Sequence, residues 1–85
     1  MKRVPVSVPW KEGLHMRPAA RLVKRAMRFR SELRLRLGDN MADLRSIIAV
    51  VLLGAGCGAM LEVEASGGDE NEAAEAIAAV FQDTE

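Results

Sequence analysis

The sequence predicts an α+β open-faced β-sandwich of order β-α-β-β-α-β-α, a four-stranded antiparallel sheet with three helices on one face. Three observations point there. A length of 85 residues allows one domain, 1–85, and no second core. Three short segments alternate apolar and polar residues, the period of strands with one wet face. Between them lie segments of helical apolar period with helix-start signals.

Val4, Val6 and Val8 alternate with Pro5, Ser7 and Pro9. Proline is confined to sheet edges, so this segment is an edge strand. Residues 11–14 form a loop turning at Gly13, and a helix begins at His15. Pro18 falls in its first turn, where a missing N–H costs nothing. Ala19, Leu22, Val23, Ala26, Met27 and Phe29 share the apolar side of that helix, which ends near Arg30. Arg17, Arg21, Lys24, Arg25 and Arg28 cluster on the opposite side.

Leu33, Leu35 and Leu37 then alternate with Arg34 and Arg36 in a second strand. Gly38-Asp39-Asn40 supplies a turn, and residues 41–43 a short third strand. Ser46 is placed to cap a short apolar helix running to about Leu53, with Val50 and Leu53 in the core. After a glycine-rich loop, Leu61, Val63 and Ala65 alternate with Glu62 and Glu64. Those acids would pair with Arg34 and Arg36 if their strands are neighbours. Ser66-Gly67-Gly68 turns the chain, and Asp69 with Glu72 has the spacing of a capping box. Ala73, Ala76, Ile77 and Val80 line the inner side of the last helix.

Composition excludes several classes of function. The longest uninterrupted apolar run, residues 47–53, is seven long, against about 20 for a membrane span. Met1-Lys2-Arg3 is followed by Val4-Pro5-Val6-Ser7 rather than by a secretory signal. The single cysteine, Cys57, forms no internal disulfide, and no Cys/His cluster offers a metal site. A cytoplasmic protein with no membrane insertion, metal or cofactor is expected.

Net charge is zero but segregated. All 12 Lys and Arg lie in residues 1–45 with four acids, while residues 46–85 hold eight acids and no base. Either these charges pair across the fold, or they form a basic surface for an acidic partner or a phosphate.

His15 is the only histidine. It stands at the mouth of a helix, where outward N–H groups and the macrodipole favour anions. Arg17 adds a fixed positive charge suited to phosphate. The same dipole disfavours imidazolium and keeps the ring neutral and nucleophilic. A plain surface histidine fits the position alone equally well.

Gly13-Leu14-His15-Met16-Arg17-Pro18-Ala19-Ala20 resembles the active-site signature of HPr, the histidine phosphocarrier family of the bacterial phosphotransferase system. Leu44-Arg45-Ser46-Ile47-Ile48-Ala49-Val50-Val51-Leu52-Leu53-Gly54 resembles the family's second signature, with its regulatory serine at Ser46. Ala65-Ser66-Gly67-Gly68-Asp69-Glu70-Asn71-Glu72-Ala73 resembles its last turn and helix start. The blocks span essentially the whole chain.

The resemblance implies that His15 accepts a phosphoryl group from enzyme I and passes it to IIA domains for sugar uptake. Arg17 would neutralise the phosphoryl oxygens. The protein would be a carrier rather than a turnover enzyme, and a monomer. Ser46 would be a target of an HPr kinase/phosphorylase where one exists. Arg21, Lys24, Ile47, Ile48 and Val51 would form the partner-binding surface, an apolar patch ringed by cations.

Glu12 departs from the small polar residue that many family members carry. A carboxylate facing His15 would repel a phosphoryl group or favour imidazolium; a solvent-facing side chain is expected instead. Trp10 is assigned to packing or to a partner contact, and Cys57 to an inert loop or buried thiol.

Three alternatives stand beside sugar uptake. A nitrogen-related regulatory phosphorelay keeps the chemistry and changes the circuit. A non-phosphorylated regulatory module would have no need of His15 and Arg17. A nucleic-acid-binding role lacks an aromatic platform for bases.

Overall fold

In a computed structural model that describes residues 1–83, the element order is β1 (Lys2–Ser7), α1 (Met16–Ala26), β2 (Glu32–Leu37), β3 (Asn40–Asp43), α2 (Ile47–Leu52), β4 (Met60–Ser66) and α3 (Glu70–Val80). The four strands form one antiparallel sheet of order β1-β4-β2-β3. This is the open-faced sandwich that the apolar periods predict.

The register shows why one face is covered. Val4 and Leu35 both stand opposite Val63, Val6 opposite Leu61, Leu33 opposite Ala65, and Leu35 opposite Ala42. Alternate residues share a face, so all these side chains meet the helices. Leu22, Ala26, Val50, Ile77 and Val80 complete a core in which Leu22, Leu35, Val50 and Val63 are fully buried. β1 is an edge strand, as Pro5 requires.

The uncovered face carries the charges, and they pair diagonally. Arg34 stands opposite Glu64 and Arg36 opposite Glu62, yet Arg36 Nε donates to Glu64 Oε2 at 2.8 Å. Glu64, expected on a wet face, is only 2% exposed. The cause is topology: β4 lies between β1 and β2, which bring Arg3 and Arg36 over it from both sides.

α1 ends at Ala26 rather than near Arg30, and Phe29 leaves the helix to pack against the core half-buried. Met27, expected on the inner side, is 71% exposed. Tertiary hydrogen bonds win here. The Asp69 carboxylate accepts from Arg30 N–H and Ser31 N–H, both at 3.0 Å, and from Ser31 Oγ at 2.5 Å. These bonds hold residues 30–31 in the bend that leads into β2.

The capping box expected at Asp69 and Glu72 is therefore absent. Asp69 makes no side-chain cap bond to α3. Glu70 instead reaches back, accepting from Gly67 N–H at 3.1 Å and meeting the N-terminal ammonium of Met1 at 3.1 Å. Gly67 has φ +153°, and a Cβ there would lie 2.7 Å from Ser31 Oγ. Within α3, Ala73, Ala74, Ile77 and Val80 are buried while Ala76 is half-buried.

Three carboxyls sit below their ordinary range. Asp69 is lowered chiefly by the Ser31 hydroxyl, Glu70 by the Gly67 N–H, and Glu64 by its bond to Arg36. A carboxyl whose folded pKa lies below its unfolded value stabilises above the unfolded value. That stability is lost as pH falls through the folded one. Denaturation midpoints should therefore be flat near neutrality and fall steeply below about pH 4. Urea titrations across that range check this; a midpoint unchanged down to pH 3 would contradict it.

Candidate functional site

His15 is the N-cap of α1, with extended backbone (φ −93°, ψ −170°) and no side-chain cap bond. Its carbonyl accepts the first helical bond, from Ala19 N–H at 3.1 Å. An imidazole is a poor substitute for the usual small N-cap side chains, so stability alone does not account for it. Nor does α1 carry an acid in its first turn, whereas α3 carries Glu70 and Glu72. The positive end of the α1 dipole at this point favours an anion. Pro18 withholds one of the first-turn N–H groups.

The loop before His15 is tied down on several sides. Gly13 N–H donates to Trp10 C=O at 2.9 Å, and His15 N–H to Gly13 C=O at 2.9 Å, a tight three-residue turn. Leu14 is buried, and its N–H donates to Ala55 C=O at 2.8 Å. Gly13 has φ +79°, and a Cβ would lie 2.7 Å from that same Ala55 oxygen. Only glycine permits so close an approach of the two loops.

Trp10 forms the other anchor. It is buried, its ring centroid is 5.2 Å from that of Phe81, and its Nε1–H donates to Asp83 C=O at 2.9 Å. Trp10 is thus a packing residue, and its edge also walls the site. An open depression is lined by Pro9, Trp10, Lys11, Glu12, His15, Met16, Arg17 and Ala20. His15 is half-buried there and Arg17 exposed. Glu12 is exposed, as expected, and shares the rim of this depression.

The remaining site residues divide into two groups. Arg21 and Lys24 line a second depression with Arg25, Arg28 and Val80, apart from the one holding His15. Arg21 is also engaged, donating to Asp83 Oδ2 at 2.6 Å. Ile47 and Val51 pack half-buried against the core, while Ile48 is 60% and Leu52 77% exposed. Val50 is buried and Leu53 half-buried. Ser46 caps α2, its Oγ accepting from Ala49 N–H at 3.1 Å.

Met16, Leu52 and, against the expectation that put it on the inner side of α1, Met27 are also exposed apolar side chains. The usable signal was the number of apolar residues in α1 and α2, more than a domain this small can cover. Cys57 is exposed rather than buried, on the loop that supports Gly13. Among the described residues no group of His, Cys, Asp or Glu is arranged to hold a metal, and no helix is long and apolar enough to cross a membrane.

The chain as a whole is similar to known proteins. The sequence model of the family described as "PTS HPr component phosphorylation site" matches residues 2–83. The phosphocarrier protein HPr of Treponema pallidum is 41% identical over 70 residues, covering 82% of this chain and 80% of the relative. The crystal structure of HPr-C-His from Thermoanaerobacter tengcongensis superposes with a TM-score of 0.91 at 33% identity, covering 96% of this chain and 92% of that one. That of a phosphocarrier protein HPr from Bacillus anthracis gives 0.88 at 34% identity, over 95% and 96%.

Proposed function

The chain belongs to the HPr family of phosphotransferase-system phosphocarriers, and from that premise we propose that His15 is the phosphoryl-transfer site, loaded by enzyme I and unloaded by IIA domains during sugar uptake. A member of this family is a phosphocarrier and not a turnover enzyme. The observation that carries the assignment is the place of His15 as the N-cap of a helix with no acid in its first turn, lining one depression with Arg17. The carrier is read as one domain, 1–85, acting as a cytoplasmic monomer without a cofactor.

Transfer is an in-line displacement between nitrogen nucleophiles, with the phosphoryl group passing from a partner nitrogen to the imidazole. The protein's work is positioning and charge stabilisation. The lacing of residues 10–15 to Ala55 and Asp83 supplies the first. The α1 dipole and Arg17 supply the second. Incubation with enzyme I and labelled phosphoenolpyruvate tests the reading. One acid-labile, base-stable label per chain, chased off by a IIA domain, is the expected result; a chain that stays unlabelled refutes it.

Arg17→Ala should slow loading without unfolding the domain, because Arg17 is exposed. Loss of one aligned charge-assisted contact costs roughly 1.5–3 kcal/mol, about tenfold or more in rate. Rapid-quench measurement of label uptake, with a melting curve on the same sample, reads both quantities.

Partners are read as docking on Ile47, Ile48 and Val51, steered by Arg21 and Lys24, and Ser46 as a regulatory phosphorylation site for an HPr kinase/phosphorylase. Ser46→Ala should lose about 1 kcal/mol of stability with its cap and still bind enzyme I. Ser46→Asp should keep the cap, yet bind poorly by placing negative charge inside the same footprint. Binding and melting at two salt concentrations separate the variants. Equal binding by all three chains would leave Ser46 as a cap alone.

A further inference from the structure

The charge segregation of the sequence is only partly resolved by folding. Arg3 and Arg36 pair with Glu64, Arg21 pairs with Asp83, and Asp69 is spent on the backbone and hydroxyl of residues 30–31. Lys24, Arg25 and Arg28 form no ion pair with another described residue. They converge with Arg21 on a depression beside Val80 of α3, which shares no lining residue with the His15 depression.

Such a cluster works against the fold. Arg21 stands one helical turn from both Lys24 and Arg25, spacings at which like charges repel. Lys24 and Arg25 do lie in the last turn of α1, where the dipole offsets part of that repulsion. Arg28 lies beyond the helix, in the turn that follows. The cavity, about 220 Å³, is below the size of a drug-like ligand site. Arg25 and Arg28 nonetheless bring to its lining two guanidinium groups outside any ion pair with a described residue, the group that binds phosphate oxygens in pairs.

We propose that this depression between α1 and α3 is a binding site for a small anion bearing adjacent phosphates, held by Arg25 and Arg28 with Lys24 at the rim, and with Arg21 beside them held by Asp83. The site goes beyond the carrier function and does not depend on His15. Its chemistry is shared by inorganic polyphosphates and nucleoside triphosphates. Val80 offers a base only an apolar contact and no hydrogen bond.

Amide NMR titration at constant ionic strength tests the proposal, with inorganic tripolyphosphate, a nucleoside triphosphate and orthophosphate as probes. Tripolyphosphate should shift the amides of residues 21–28 and 80 and should bind at least tenfold tighter than orthophosphate. Equal affinity for tripolyphosphate and the nucleoside triphosphate would assign recognition to the phosphate chain. Tighter nucleotide binding would add a base contact at Val80, within the same site. The Arg25→Gln/Arg28→Gln double variant should weaken tripolyphosphate at least tenfold, while His15→Ala should bind it unchanged. Shifts centred on residues 9–17, loss of binding in His15→Ala, or full affinity in the double variant would each overturn the proposal. So would equal affinity for orthophosphate, which would leave only screening of surface charge.

Discussion

His15→Ala is expected to take up no acid-labile, base-stable label from enzyme I and phosphoenolpyruvate, while melting close to the wild-type chain. The loss should be complete because His15 is the only histidine, so no second imidazole can substitute. Folding should survive because the helix start is held by its backbone and by the lacing of Gly13 and Leu14. Autoradiography after acid and base treatment, beside a thermal melt, checks both halves. Retained label of the same lability would remove His15 from the mechanism. A chain that fails to fold would show instead that the imidazole is a structural cap.

The second large effect falls far from the site. Asp69→Ala should lower Tm by on the order of 10 °C. The substitution removes the acceptor for three donors at once, Arg30 N–H, Ser31 N–H and Ser31 Oγ–H. Ser31 is 1% exposed, so water cannot replace the lost partner cheaply, and an unsatisfied buried donor costs more than a bond is worth. Asp69→Asn retains one acceptor oxygen and should fall by about half as much. Melts followed by circular dichroism decide it. A change under about 3 °C would mean that the segment before β2 is held by packing alone.

These two residues also mark what was legible in the sequence. Period-two alternation placed all three longer strands, because each turns its alternate apolar residues to the helices and the pleat enforces that difference. The place of His15 at a helix start was legible because Gly13 before it and Pro18 after it each carry a local signal. Ser46 as a cap was legible for the same reason. What escaped was long-range. Nothing near Asp69 says that its carboxylate will leave its own helix for residues 38 and 39 positions away. Nothing near Glu64 says that arginines from two flanking strands will cover it. The same blindness missed the bond from Arg21 to Asp83, 62 positions on. Local pattern reads faces; partners are chosen by topology.

The strand order has a consequence for how the chain is made. β4, the last strand to leave the ribosome, occupies an interior position between β1 and β2. β1 waits for a partner more than fifty positions downstream, since Ser7 pairs with Met60 and Lys2 with Ala65. The β2–β3 hairpin can close early, but two strands alone are marginal in water. Synthesis at about 5–20 residues per second therefore gives the nascent chain no stable half-domain to rest in. Its first half emerges as an unpaired edge strand, a cationic helix and a lone hairpin. Folding should then come in a single late step, once β4 is free to join both sides of the sheet, and chains arrested before Met60 should be soft targets for proteolysis.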